Sequence, residues 1–98
     1  MHYLLFYEYV PDYLERRIPL RSAHLSLAWQ AVERGELLLG GVMEGTPEGA
    51  LLLFRAESAA AVEAFVAQDP YVLHGLVRSW RIRTWNTVVG EAAANPVR

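Results

Sequence analysis

The sequence predicts one α+β domain with the element order β-α-β-β-α-β. Three observations support this order: four β-prone runs rich in Leu, Val and aromatic residues, two stretches with apolar residues at helical spacing, and turn residues between them. A chain of 98 residues can build one core but is too short for two. We therefore expect a single domain over residues 1–90 and a flexible, polar, proline-containing tail over residues 91–98.

The first half of the chain supplies a strand and a helix. His2–Val10 is rich in Tyr, Leu and Phe and predicts a strand, and Asp12 is a candidate N-cap for a short helical turn. From Leu20 the spacing is helical until a basic residue and Gly35 end the helix. Its polar face is formed by Ser22, Ser26, Gln30 and Glu33, and its apolar face by Leu20, Leu27, Ala28 and Ala31.

The second half of the chain supplies two strands, a helix and a last strand. The runs ELLLGGVM and ALLLFRA flank EGTPEG, which predicts a β-hairpin with a long loop. Ser58 is a candidate cap for a helix that ends near Gln68 and buries Val62, Phe65 and Val66. VRSWRIRTWNTVV predicts a last strand, and the complete order is that of the ferredoxin-like fold.

The strand sequences predict a homodimer. Two helices cover only one face of a four-stranded antiparallel sheet, and a face in water would show alternating polar residues. YLLFY in the first strand and LLL in both the second and the third strand lack this alternation. A second copy is the simplest cover for such an apolar face. The alternative is that leucines simply fill strands whose outer face is modestly apolar.

Composition excludes several classes of function. A net charge of −2 and the absence of a basic cluster argue against nucleic acid as a partner. No apolar run is long enough for a membrane span, and no signal-peptide pattern opens the chain; without cysteine, we expect a cytoplasmic protein. The three histidines are scattered, so we expect no metal, with His2 on the strand surface and His74 in a turn. No nucleotide-binding motif is present, and we expect no cofactor.

Two residues far apart in sequence stand out. His24 lies two residues from both Ser22 and Ser26, so on a helix it points to the apolar face. A core histidine bonded to a backbone carbonyl is the structural alternative. Asp69 precedes a proline and can end one helix and cap the next. In the predicted topology both lie at the same end of the sheet, where they can meet.

The motifs LERRIPLRSAHL, GELLLGG and AQDPYVLHGL, in this order and at these spacings, resemble those of YciI-like (YCII-related) proteins. The resemblance covers roughly Tyr3 to Trp85. It implies a dimeric α+β barrel and a histidine–aspartate site, which falls on His24 and Asp69, with Arg21 three residues before the histidine. Family members of assigned activity are lyase-like and eliminate halide from hydroxylated aromatic rings. This chain departs from the family where Gly41, Val42 and Met43 follow the hairpin glycine in place of Gly-Pro.

We therefore expect a small-molecule enzyme of unassigned substrate in which His24 and Asp69 perform general acid–base catalysis. Arg21 and Tyr71 are candidate substrate-binding residues, and Arg21, one helical turn before His24, can bind an anionic or phenolate oxygen. The alternative is a non-catalytic dimeric module that binds a small molecule or supports a partner.

Overall fold

The computed structural model describes all 98 residues and has the predicted element order. The two short helices are single turns, and the two longer ones correspond to the predicted helices. The elements are β1 (His2–Tyr9), α1 (Tyr13–Arg16), α2 (Arg21–Glu33), β2 (Leu37–Met43), β3 (Gly49–Arg55), α3 (Ala60–Gln68), α4 (Pro70–Leu73) and β4 (Val77–Trp85).

The four strands form one antiparallel sheet in the order β2-β3-β1-β4, which confirms the ferredoxin-like α+β prediction. The first strand lies in the centre, between β3 and β4. Residues of β1 alternate between buried and half-buried positions, and β3 shows the same alternation. The buried set faces the helices because side chains along a strand point alternately to the two faces.

The helices cover one face of this sheet and enclose the core. Apolar residues from the middle of the sheet pack against Val62, Phe65 and Val66 of α3, as the sequence predicts. On α2 the predicted apolar face also packs inward: Ala31 is fully buried, while Leu20, Leu27 and Ala28 are partly buried against the core. Gly35 follows the helix with a φ of 78°, a left-handed conformation that glycine adopts without steric cost.

The other face of the sheet remains open in the single chain. Directly opposed residues of neighbouring strands share a face, so Leu4, Phe6, Leu51 and Leu53 lie together on the open side. All four are only half-buried, and Leu39 beside them is 71% exposed. The guanidinium of Arg81 lies 4.7 Å from the centre of the Phe6 ring. The centre of this face is therefore apolar and its edge basic.

Two sequence-based expectations are wrong at the edges of the fold. The last strand ends at Trp85, not at Val89, because Trp85 already pairs with His2 and β1 offers no further residue for a ladder. His2 is buried, not on the strand surface, and its Nδ1 lies 2.6 Å from Oγ1 of Thr87. The chain beyond β4 thus folds back over the start of β1.

The C-terminal segment is held by local hydrogen bonds. The Asn95 and Val97 amides donate to the carbonyls of Thr87 and Val88 at 3.0 and 2.8 Å. Flexibility of residues 91–98 stays a prediction. No helix has both the length and the apolar character needed to span a membrane.

Candidate functional site

The candidate site is built around Asp69, which joins α3 to α4. Asp69 is the last residue before Pro70 and has extended backbone angles, φ −69° and ψ 118°, as expected before proline. Pro70 begins α4, and the Asp69 carboxylate accepts the amide hydrogen of Tyr71 at 3.0 Å. The predicted helix stop and N-cap are therefore both present.

The Asp69 carboxylate is completely buried and accepts three hydrogen bonds. Its Oδ1 accepts the Tyr71 amide and lies 2.7 Å from Nδ1 of His24. Its Oδ2 accepts the hydroxyl of Tyr7 at 2.7 Å. A buried carboxylate without partners is costly, and three donors compensate the loss of water. Because an ionised carboxylate only accepts, the Nδ1 of His24 is the donor in this contact.

The His24 ring is clamped between this carboxylate and an aromatic ring. The centres of the His24 and Tyr71 rings are 3.8 Å apart and their planes differ by 5°, a stacked arrangement. Nδ1 is occupied by Asp69, while Nε2 makes no hydrogen bond within the protein. The side chain is 13% exposed, so its free edge reaches solvent. Both the tautomer and the orientation of the ring are thereby defined.

Tyrosines surround the site on the side of the core. Tyr9 meets Tyr71 edge-on at 6.1 Å and stacks on Tyr13 at 4.4 Å. Burial raises the pKa of Tyr7, and the Asp69 charge with its hydrogen bond raises it further. Burial raises the pKa values of Tyr9 and Tyr71 as well, although the nearby Arg17 opposes this in both. All three phenols are therefore neutral hydrogen-bond donors at neutral pH.

His24 opens into a groove between α2 and β2. The groove has a volume of about 440 Å³, within the range of small-molecule sites. Most of its walls are apolar, with Leu25, Trp29 and Val32 from α2 on one side and Val42 of β2 and Leu52 of β3 on the other. Several of these side chains are exposed although large, Trp29 at 64%. The groove can therefore hold the apolar body of a small ligand beside an imidazole.

Two arginines stand at the polar end of the groove. Arg17 and Arg21 both line it, and neither forms an ion pair with an acidic side chain. The Arg17 guanidinium lies 5.8 Å from the centre of the Tyr13 ring. Unpaired guanidinium groups next to a histidine are suited to an anionic or phenolic oxygen.

The structure brings all four sequence-predicted residues together at this site. Asp69 contacts His24, and His24, Arg21 and Tyr71 line the groove; the roles of the four stay predictions. His74 does not line the groove, and its carbonyl accepts a hydrogen bond from Arg16 instead. No cluster of three or more potential metal-ligating side chains is present.

Two residues of the site, Arg17 and Tyr7, were not predicted from the sequence. Arg17 was not singled out because it lies in a run of two arginines, of which only the second faces the groove. Tyr7, which lies within a strand rich in tyrosines, donates its hydroxyl hydrogen to Asp69. The signal for Tyr7 was its spacing, because it shares the helix-facing side of β1 with Tyr3, Leu5 and Tyr9.

A family model described as a YCII-related domain matches residues 1–86. An uncharacterised protein of Haemophilus influenzae is 29% identical over 85 residues, covering 78% of this chain and 87% of that protein. Protein YciI of Escherichia coli O6:H1 is 27% identical over 97 residues, covering 90% of this chain and 99% of that protein.

Solved structures show the same fold. A 5-chloro-2-hydroxyhydroquinone dehydrochlorinase from Burkholderia phenoliruptrix AC1100, in complex with 2,5-dihydroxybenzoquinone, has a TM-score of 0.76 and 26% identity. The match covers 89% of this chain and 95% of that one. An antibiotic biosynthesis monooxygenase has a TM-score of 0.55 at 12% identity, over 91% of this chain and all of that one, which is a likeness of fold.

Proposed function

Because the chain belongs to the family of proteins with a YCII-related domain, we propose that it is a lyase-like enzyme in which His24, oriented by Asp69, moves a proton on a small hydroxylated aromatic or enol-bearing substrate. One observation carries the proposal: a histidine at the wall of an apolar groove has one ring nitrogen held 2.7 Å from a fully buried carboxylate and the other free.

The orientation of His24 suits acid–base chemistry. With Nδ1–H donated to Asp69, the lone pair of Nε2 faces the groove and can take a proton from a ligand oxygen. The negative Asp69 then stabilises the imidazolium that forms, and the ring can return the proton to another ligand atom. General acid–base catalysis of this kind contributes about 10²–10⁴ in rate.

The groove supports the substrate class. Its apolar walls match a flat ring, and Arg21 and Arg17 match the negative oxygen of a phenolate or enolate. A structural neighbour removes hydrogen chloride from a hydroxylated ring, as its name states. Loss of hydrogen chloride removes a proton and a chloride ion from the ring, and in this chain His24 would accept the proton.

We also propose that the functional unit is a homodimer. The open face of the sheet carries an apolar centre made by Leu4, Phe6, Leu51 and Leu53. Apolar surface of this kind is stabilised when another molecule covers it, and an identical face with the same pattern is self-complementary.

A binding experiment tests the substrate class. The purified chain is titrated with hydroxylated aromatic compounds, among them 2,5-dihydroxybenzoquinone, while its thermal unfolding is followed. A ligand that binds the folded state raises the unfolding temperature. We expect this shift in the wild type and in Arg34→Gln, whose guanidinium pairs with Glu36 outside the groove, and a reduced shift in Arg21→Gln. Equal shifts in both variants would contradict the proposed site.

Turnover separates an enzyme from a binding module. An enzyme converts at least one ligand that binds in the groove, and conversion depends on His24. Binding without conversion across halogenated and unhalogenated members of the panel would instead favour a dimeric small-molecule-binding module.

A further inference from the structure

Tyr7 is the buried polar group that the proposed chemistry leaves unused. Its hydroxyl donates to Oδ2 of Asp69 at 2.7 Å, on the side of the carboxylate away from His24. Tyr7 is 2% exposed and does not line the groove, so no ligand in the groove touches it. Its only polar partner is the carboxylate that orients the histidine.

We propose that Tyr7 is a positioning residue that fixes the Asp69 carboxylate so that its other oxygen holds His24 in one tautomer. This proposal rests on the proposed function of His24 and adds a third residue to it. The Tyr7 hydroxyl and the His24 ring each donate a hydrogen bond to the Asp69 carboxylate, one to each oxygen.

The geometry of the carboxylate supports this role. A carboxylate held only at Oδ1 can turn about its side-chain bond, and then both donors on that oxygen lose their alignment. The Tyr71 amide and His24 Nδ1 share Oδ1, so the Tyr7 hydroxyl is the one donor that holds Oδ2. Tyr9 and Tyr71 also lie near Asp69, but no hydroxyl other than that of Tyr7 reaches its oxygens.

The fold itself holds Tyr7 in place. Tyr7 stands in the central strand β1, paired with Ala50 on one side and Trp80 on the other. Gly49 of β3 packs directly on the Tyr7 backbone, and a Cβ at Gly49 would collide with the Tyr7 carbonyl oxygen. The phenol therefore projects from a rigid part of the sheet, which is a suitable support for a precisely placed side chain.

Tyr7→Phe tests the proposal, because it removes the hydroxyl and keeps the ring in the core. Tyr3→Phe is the matched control: Tyr3 is buried on the same face of the same strand, and its hydroxyl points to Sδ of Met1. The readout is the ¹⁵N NMR spectrum of the His24 ring, which distinguishes the two tautomers without any substrate. We expect the single Nδ1–H tautomer in wild type and Tyr3→Phe, and a mixture of tautomers in Tyr7→Phe.

Once a substrate is known, kinetics give a second readout. Loss of a hydrogen bond to a charged group predicts that kcat falls about tenfold in Tyr7→Phe. KM should stay at the wild-type value, because Tyr7 lies outside the groove. If no compound is turned over, the proposed function fails while the NMR result still decides the role of Tyr7.

Unchanged His24 nitrogen shifts in folded Tyr7→Phe would overturn the proposal. Should that variant not fold, the wild type and His24→Ala provide the measurement instead. The Tyr7 hydroxyl proton should be visible in the wild type and should move in His24→Ala, since both groups share one carboxylate. A Tyr7 hydroxyl signal that stays in place would equally overturn the proposal.

Discussion

Asp69 ends one helix with its backbone, and its side chain caps the next helix and contacts a histidine. The extended backbone before Pro70 ends α3, and Oδ1 accepts the first free amide of α4. The same oxygen meets His24 on α2. The cap fixes the carboxylate in position, and the carboxylate in turn fixes the ring.

Substitution of Asp69 separates these roles. Asn is as good an N-cap as Asp, so Asp69→Asn should keep most of its stability. Asp69→Ala should lose about 0.5–2 kcal/mol for the cap, and more because the buried Tyr7 hydroxyl is left without an acceptor. Both variants lack the charge that supports a protonated His24 and should lose turnover. Urea unfolding and steady-state kinetics measure the two effects. An Asp69→Asn protein with wild-type turnover would show that the residue only stops and caps helices.

His2 predicts a pH dependence of stability. Burial lowers its pKa from the ordinary value of 6.5, and the N-terminal charge and Arg55 lower it further. Below pH 6.5 the unfolded chain therefore binds a proton that the folded chain refuses, and the free energy of unfolding falls as the pH drops.

Urea unfolding at pH 7.5 and pH 5.5 measures this dependence in the wild type and in His2→Gln. We expect the wild type to lose more stability on acidification than the variant, because the variant lacks the titrating ring. Equal losses would mean that His2 is protonated equally well in the folded and unfolded chains.

At the residue scale, the sequence predicted those functions that depend on spacing. His24 was placed on the apolar face by its distance from Ser22 and Ser26, and Asp69 was placed at a helix end by Pro70. The Tyr7 hydrogen bond was not predicted, because it depends on how far a strand side chain extends toward a helix end. The burial of His2 depends on the return of the chain at Thr87, for which the sequence gives no local signal.

At the scale of elements, the groove exists because β2 is poor in side chains where it faces α2. Gly40 pairs with Leu52 and shares its helix-facing side. Its φ is not positive, and an added Cβ would make only ordinary contact with Leu52 at 3.5 Å. The fold therefore tolerates a side chain at Gly40, although glycine weakens a strand. Because Gly40 has no side chain, the space next to it is part of the groove.

Gly40→Ala and Gly40→Val should therefore narrow the groove without unfolding the protein. One extra methyl group in a binding groove predicts an affinity loss of about tenfold for a flat ligand, and Val should lose more. Ligand titration measures the affinity, and thermal unfolding provides the control. Affinity that is independent of side-chain size would show that the ligand body does not lie over Gly40.

The helices and the order of strands were predictable, whereas one strand end was not. Helical spacing and Gly35 predicted α2 nearly to the residue. The end of α3 at Gln68 was also predicted, but its N-cap is Ala59, not Ser58. The β-prone run VRSWRIRTWNTVV continues past Trp85, but a strand needs a neighbour as well as a β-prone sequence. Since β1 begins at His2, the ladder ends with the His2–Trp85 pair.

At the scale of the whole molecule, the exposed apolar face of the sheet predicts self-association. A charge in the middle of that face should prevent it, because an unpaired carboxylate cannot be buried against a second apolar face without a large cost. Light scattering should give twice the 11.1 kDa chain mass for the wild type and the single mass for Leu53→Glu.

Leu73→Glu is the matched control, because Leu73 is an exposed leucine on α4, on the helix side of the sheet. It should keep the doubled mass. A wild-type chain that is monomeric at micromolar concentration would refute the dimer.

The fold and the meeting of His24 with Asp69 followed from topology, because the start of α2 and the end of α3 lie at one end of the sheet. The groove and the place of Arg17 in it could not be predicted in this way. They depend on the relative position of β2 and α2, which is set by packing.

The central claim is that His24 moves a proton on a ligand in the groove, and halide release tests it most directly. Wild type, His24→Gln and the control Arg34→Gln are incubated with halogenated hydroxyhydroquinones, 5-chloro-2-hydroxyhydroquinone first, and free chloride is measured over time. Glutamine approximates the size of the imidazole but cannot carry the proton. We predict chloride release by wild type and Arg34→Gln, reduced about 10²–10⁴-fold in His24→Gln. Release that is equally fast in folded His24→Gln would contradict the account.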